Sequence, residues 1–124
     1  MNLRDPKLIA LQFNECINNQ DLAGLTDLMS EDHSFIDREG KVHKSKEFMV
    51  KSWKDFFHLF PHYKNTFTRV DSQNTLVAIV GYAFWSDDRP YDPVLWTAKI
   101  ESDFVAEWCV YEDTPGNRKL LNII

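Results

Sequence analysis

The sequence predicts a single α+β domain in which helices come first and a mostly antiparallel sheet follows. Apolar residues recur at helical spacing as far as Phe60, and beyond Tyr63 the period changes to two. The chain is also short. Its 124 residues bury roughly two thirds of the surface that the unfolded chain exposes and leave no room for a second core.

Asp5 followed by Pro6 reads as an N-cap with proline at the first helical position, and Ile9, Phe13, Cys16 and Ile17 follow on one face. This predicts a helix from about Pro6 to Asn19. The polar run Asn18 to Asp21 breaks it, Asp21 caps a new start, and Leu22, Leu25, Leu28 and Met29 form the stripe of a short second helix. Next, His33 to Asp37 is a short strand and Arg38-Glu39-Gly40 a turn into a second one, Lys41 to His43. From Ser45, residues Met49, Trp53, Phe56, Phe57 and Phe60 mark a third helix, which Pro61 ends.

Four strand-like runs follow, Tyr63 to Asp71, Thr75 to Trp85, Val94 to Ile100 and Phe104 to Tyr111. In the second, Leu76, Ala78, Val80, Tyr82 and Phe84 share one face, and Val77, Ile79, Ala83 and Trp85 the other. Both faces are apolar, so this strand is expected to be central and covered on both sides. The connection Ser86 to Pro93 is long enough to edge a site. Thr114 to Leu121 reads as a short helix or turn that packs back on the domain.

Lys and Arg total 14 against 19 Asp and Glu, a net charge of −5, so the electrostatic footprint of a nucleic-acid or anionic-membrane binder is missing. No apolar stretch approaches the ~20 residues of a membrane span, and no signal-like segment opens the chain. The expected address is the cytoplasm. Cys16 and Cys109 sit in strongly periodic segments, where cysteine behaves as a small buried hydrophobe, so no disulfide is expected.

His58 and His62 have the four-residue spacing of two metal ligands on a helix, but Pro61 ends the helix between them and no third ligand is evident. Asp87, Asp88 and Asp92 follow no calcium-loop pattern and read as a solvated loop. With four glycines there is no phosphate loop, no dinucleotide fingerprint and no Gly-x-Ser-x-Gly elbow. Neither a metal nor a cofactor is expected.

Three segments carry a family resemblance. Asn19-Gln20-Asp21-Leu22-Ala23-Gly24-Leu25 resembles the turn between the first helices of the nuclear transport factor 2-like superfamily, and Ser30 to Asp37 resembles its acidic lead into strand one. Val105-Ala106-Glu107-Trp108-Cys109-Val110-Tyr111-Glu112-Asp113 is similar to the closing strand of its SnoaL-like members, relatives of polyketide cyclases and ketosteroid isomerase. The resemblance implies a cone-shaped, barrel-like curved sheet wrapped around a pocket by three N-terminal helices. It further implies a small apolar or amphipathic ligand and a homodimer through the exposed face of the sheet.

By the same resemblance Asp37 falls where ketosteroid isomerase-like members carry their general base. A carboxylate in an aromatic cavity would have its pKa raised by desolvation, which suits proton abstraction next to a carbonyl. Asp37 also stands where an aspartate commonly opens a turn, and both readings stay open. The tyrosine and acidic donor that complete such a site in ketosteroid isomerase fall on Phe13 and near Trp96, so that oxyanion hole is not expected.

His33 shares strand parity with Asp37 and could face the cavity, but four residues at ~3.3 Å each keep the two about 13 Å apart. Glu112 and Asp113 stand where SnoaL-like cyclases place a catalytic aspartate, or else cap the turn that follows. Phe13, Trp53, Phe57, Tyr82, Phe84, Trp96 and Trp108 are candidates for the pocket wall, at least half of them expected to be plain core. Two functions remain: a lyase or isomerase acting on a small apolar carbonyl compound, with Asp37 as base and His33 or Glu112 assisting, or a non-catalytic binding or dimerisation module.

Overall fold

In the computed structural model of the chain, which describes residues 4–123, helix α1 (Pro6–Asn18) starts at the expected cap. The Asp5 carboxylate accepts the Lys7 backbone N–H at 3.0 Å, and Pro6 fills the first helical position, where a missing N–H costs nothing. The helix buries Ile9, Ala10, Phe13 and Ile17. Asp21 caps α2 (Leu22–Leu28) by accepting from Gly24 N at 3.0 Å.

Strand β1 (Met29–Ile36) begins directly at the end of α2, four residues earlier than expected. Met29, read above as the last residue of the α2 stripe, is already extended; its side chain is buried in either conformation, so burial alone could not place it. A tight turn leads into β2 (Val42–Lys44), with Gly40 at φ +82°, a left-handed conformation that glycine adopts without a Cβ clash. Ser45 then caps α3 (Lys46–Leu59), which buries Met49, Trp53 and Phe57.

Strands β3 (Lys64–Gln73), β4 (Leu76–Phe84), β5 (Asp92–Glu101) and β6 (Phe104–Glu112) follow, and α4 (Pro115–Leu120) is the short helix expected of the tail. The sheet runs β2-β1-β6-β5-β4-β3, with β1 parallel to β6 and every other pair antiparallel. It is curved, as expected, and does not close: β2 and β3 are its two edges, so the expected cone is an open one. Register shifts in β1/β6, β3/β4 and β5/β6 accompany the curvature.

Curvature gives the sheet two unlike faces. Val77, Ile79 and Ala83 of β4, Val94, Trp96 and Ala98 of β5, and Trp108 of β6 join the main core with α1 and α3. On the outer face Ala78 and Leu95 pack under Leu121 and Ile123, which follow α4, so the tail itself covers the middle of that face. β4 is therefore covered on both sides, as its doubly apolar pattern predicts. Cys16 on α1 and Cys109 on β6 are free thiols. Among the described residues no helix is long and apolar enough to cross a membrane.

Candidate functional site

Between α3, the β1–β2 hairpin and the inner face of β3 to β6 lies a cavity of about 480 Å³. Its walls follow from two periodicities. Met49, Trp53 and Phe56 recur on one side of α3, while Val94 and Trp96 on β5 and Trp108 and Val110 on β6 alternate onto the inner face. The deep end is made of buried side chains, Trp53, Tyr63, Asn65, Val94, Trp96 and Trp108. The rim is made of more exposed ones, among them Asp37, Arg38, His43, Phe48, Trp85 and Arg89.

On one side of the rim a histidine meets a carboxylate. His43 Nε2 stands 3.0 Å from Asp37 Oδ2, while Asp37 Oδ1 accepts the backbone N–H groups of Glu39 at 3.0 Å and Lys41 at 2.9 Å. The His43 hydrogen bond, with help from the two backbone bonds, holds the Asp37 carboxyl below the usual carboxylate range and outweighs the upward push of burial. Because a carboxylate only accepts, Nε2 carries the proton and Nδ1 of the neutral ring keeps the lone pair. Phe48 stacks on the imidazole with centroids 6.1 Å apart and planes within 7°.

Asp92 organises the other side of the rim. It forms a two-pronged ion pair with Arg38, accepts the Trp85 indole N–H at 2.8 Å and meets Arg89 at 3.3 Å. Burial pushes its carboxyl up, but the bonds from Arg38 and Trp85 prevail and its pKa is lowered. Arg89 in turn lies over the Trp85 ring, 5.1 Å from the centroid. One carboxylate thus fastens the β1–β2 turn, the end of β4 and the long loop. The reading of Asp92 as a solvated loop residue is corrected: it opens β5 with a largely covered side chain, while Asp87 and Asp88 are exposed.

Comparison with known proteins places this architecture. The sequence model of the SnoaL-like domain matches residues 10–114, most of the chain. The chain belongs to the SnoaL-like domain family. Its fold is similar to that of a protein from Shewanella putrefaciens provisionally named as a SnoaL-like polyketide cyclase, at 13% identity and a TM-score of 0.78, over 99% of this chain and 89% of that one. It is also similar to an NTF2-like protein of unknown function from Cytophaga hutchinsonii, at 12% identity and a TM-score of 0.74, over 98% and 99% of the two chains. A cystatin-fold protein from Novosphingobium aromaticivorans shares 17% identity and a TM-score of 0.77, over 88% of this chain and 99% of that one. At such identities the likeness is one of fold. No curated protein matches the sequence.

The residues singled out from sequence distribute unevenly over this SnoaL-like domain. Asp37 is at the cavity rim, but its pKa moves down, against the expected rise, because it lies in a hydrogen-bonded turn rather than an apolar recess. His33 does not line the cavity. It is fully buried beside Phe13, with Nδ1 2.7 Å from the Val105 carbonyl, in the stretch where the β1–β6 register shifts. Glu112 is exposed at the end of β6 and outside the cavity wall, and Asp113 is held by both prongs of Arg118.

Of the seven rings, Trp53, Trp96 and Trp108 line the cavity. Phe13 stands behind them, 4.8 Å from Trp108, and Phe57 backs Trp53 at 5.6 Å while lining a separate shallow hollow. Tyr82 and Phe84 point to the outer face, where Tyr82 meets Tyr91 at 4.7 Å, as the alternation of β4 requires.

His43, Tyr63, Asn65 and Trp85 are among the cavity residues that sequence reasoning passed over. For His43 a signal existed. In a hairpin turning at Arg38 to Gly40, Phe35 pairs with His43, so His43 is the diagonal neighbour of Asp37 on the same face.

Proposed function

We propose that this SnoaL-like domain binds a small, largely apolar carbonyl compound in the cavity and moves a proton on it, as a lyase or isomerase does. The observation that carries this reading is the Asp37–His43 pair on the rim of an otherwise apolar, tryptophan-lined hollow. Asp37, with a lowered pKa, is a weak base but a good orienting partner: it fixes the proton on Nε2 and supports the positive charge that the ring gains when Nδ1 takes a proton. His43 is then the acid/base group that meets the ligand, and Asp37 is its positioning residue. His33 and Glu112 take no part.

The test uses 2-tetralone, a two-ring ketone, in deuterated buffer. Loss of its α-proton signals is followed by NMR, with free imidazole as reference. Catalysed exchange is expected, falling about 100-fold in His43→Gln. Asp37→Asn should lower the rate, because the ring loses the carboxylate that orients it. Exchange no faster than with imidazole would end the catalytic reading.

A second reading, a non-catalytic binding module, is favoured by the two backbone bonds to Asp37 Oδ1, which are full employment for a turn aspartate. Binding of 2-tetralone without exchange would select it. The homodimer implied by resemblance remains part of the proposal in either case.

A further inference from the structure

Two arginines share one carboxylate at the mouth of the cavity. Arg38 on the β1–β2 turn and Arg89 on the loop between β4 and β5 both reach Asp92 Oδ2, Arg89 Nη2 at 3.3 Å and Arg38 Nη2 closer, and both residues line the cavity. The same oxygen accepts the Trp85 indole N–H at 2.8 Å, so it has no room for a further donor. Arg38 forms a two-pronged pair with Asp92, whereas Arg89 commits only Nη2 and leaves Nε and Nη1 without a hydrogen-bond partner among the described residues. Two positive charges against one negative leave a surplus of one.

That surplus is both accessible and held in place. The Arg89 side chain is 60% exposed and that of Arg38 30%, against 16% for Asp92. The Arg89 guanidinium lies over the Trp85 ring at 5.1 Å, and that ring is fixed edge-on against Phe56, Phe60 and Tyr63 at centroid distances of 4.8 to 5.7 Å. A cation fixed beside an apolar wall is screened less than one in open water, and it loses less freedom when a ligand arrives. The rim acids on the other side compete weakly. Asp37 is occupied by His43 and two backbone N–H groups, while Glu39 is exposed, forms no ion pair among the described residues and opposes an anion only through screening solvent.

A neutral ligand leaves the surplus unanswered, and a cationic one is repelled by it. A planar guanidinium matches the two oxygens of a carboxylate, and one surplus charge matches a monoanion rather than a phosphate dianion. We infer that the SnoaL-like cavity takes an apolar monocarboxylic acid, inserted ring first, with its carboxylate left at the mouth against Arg89 and Arg38 and its frame against Trp96 and Trp108.

The volume sets the size. About 480 Å³ is roughly three times the ~150 Å³ void that accepts benzene, so two fused rings fit. This inference rests on the cavity being the ligand site proposed above. It narrows the carbonyl compound to a keto acid whose acid end is held on the Asp92 side of the rim and whose reacting carbon faces His43 on the other.

Two probes of nearly equal shape and different charge decide it: 2-naphthylacetate and 2-naphthylacetamide, titrated calorimetrically into the protein at pH 7.5 and low salt. The acid is expected to bind at least about ten-fold more tightly, the scale of one charge-assisted hydrogen bond at a partly exposed site. Arg89→Gln should reduce that preference by at least about three-fold and leave amide affinity within about two-fold; Arg38→Gln, which also loosens the Asp92 link, should reduce it in the same way. A preference that survives in both variants would overturn the arginine assignment. A preference below about ten-fold in the unaltered protein would overturn the carboxylate and leave the cavity as a binding site. Binding of neither probe would overturn both.

Discussion

Removing the His33 ring should destabilise the fold, and the loss should depend on pH in a direction that the structure dictates. His33→Ala empties a fully buried site and deprives the Val105 carbonyl of a donor 2.7 Å away. Large-to-small core changes cost about 2–5 kcal/mol, and an orphaned buried acceptor about 1–3. Against this, Nε2 has no partner among the described residues, so the substitution also relieves an orphan already present. The net expectation is about 3 kcal/mol at pH 7.5.

At roughly 2.1 cal/mol/K of unfolding entropy per residue, a chain of this length has ~0.26 kcal/mol/K, so the melting midpoint falls by about 12 °C. Calorimetry and urea titration measure both quantities. Burial lowers the His33 pKa below 6.5, the Val105 bond opposing only in part. The unfolded ring therefore takes a proton near pH 6.5 while the folded ring stays neutral. The stability that His33 supplies is whole above that pH and drains away as pH falls from 6.5 toward the folded value. The gap between the native protein and His33→Ala should therefore narrow from about pH 7.5 to about pH 5. A loss below about 1 kcal/mol, or a gap that widens in acid, would refute the reasoning.

Gly81→Ala should be severe, about 3 kcal/mol or more, because a Cβ at position 81 would stand 2.0 Å from the Thr66 carbonyl oxygen, a backbone atom that cannot step aside; a variant with native-like urea stability would contradict the β3–β4 packing. Asp37→Asn should cost little stability, under about 1 kcal/mol at pH 7, because the pair is partly exposed. Since the folded carboxyl has a lowered pKa, that contribution is present above the usual 3.8 and lost below it, and difference melts from about pH 6 to pH 3 would read it. Leu121→Ala opens the outer-face cluster over Leu95 and Ala78 and should cost about 2 kcal/mol in the same melts. Light scattering should give twice the chain mass of 14.6 kDa at micromolar concentration; a species of 14.6 kDa alone would remove the dimer.

Most of the fold was legible because its signals are local. Asp5, Asp21, Ser45 and Thr114 cap their helices through bonds to residues two or three positions on, and strand alternation assigned the faces of β4. The start of β1 was less legible because Met29 is buried in helix or strand alike. The site was harder. Tyr82 and Phe84 are as aromatic as Trp96, and only the direction of sheet curvature decides which face becomes a cavity wall. His33 and Asp37 share parity, yet the register shift after Met29 sends the first into the core and leaves the second at the rim. Asp92 reads as one of three loop acids until Arg38, 54 residues away, reaches it. The Asp37–His43 pair needed only the hairpin register, which the sequence contains.

The most direct test of the central claim is a crystal structure of the protein soaked with 6-bromo-2-tetralone, with the bromine located by its anomalous scattering. The expected result is one strong peak inside the cavity, with the ring against Trp96 and Trp108. A cavity closed by the protein's own rings, with no bromine in it, would contradict the claim.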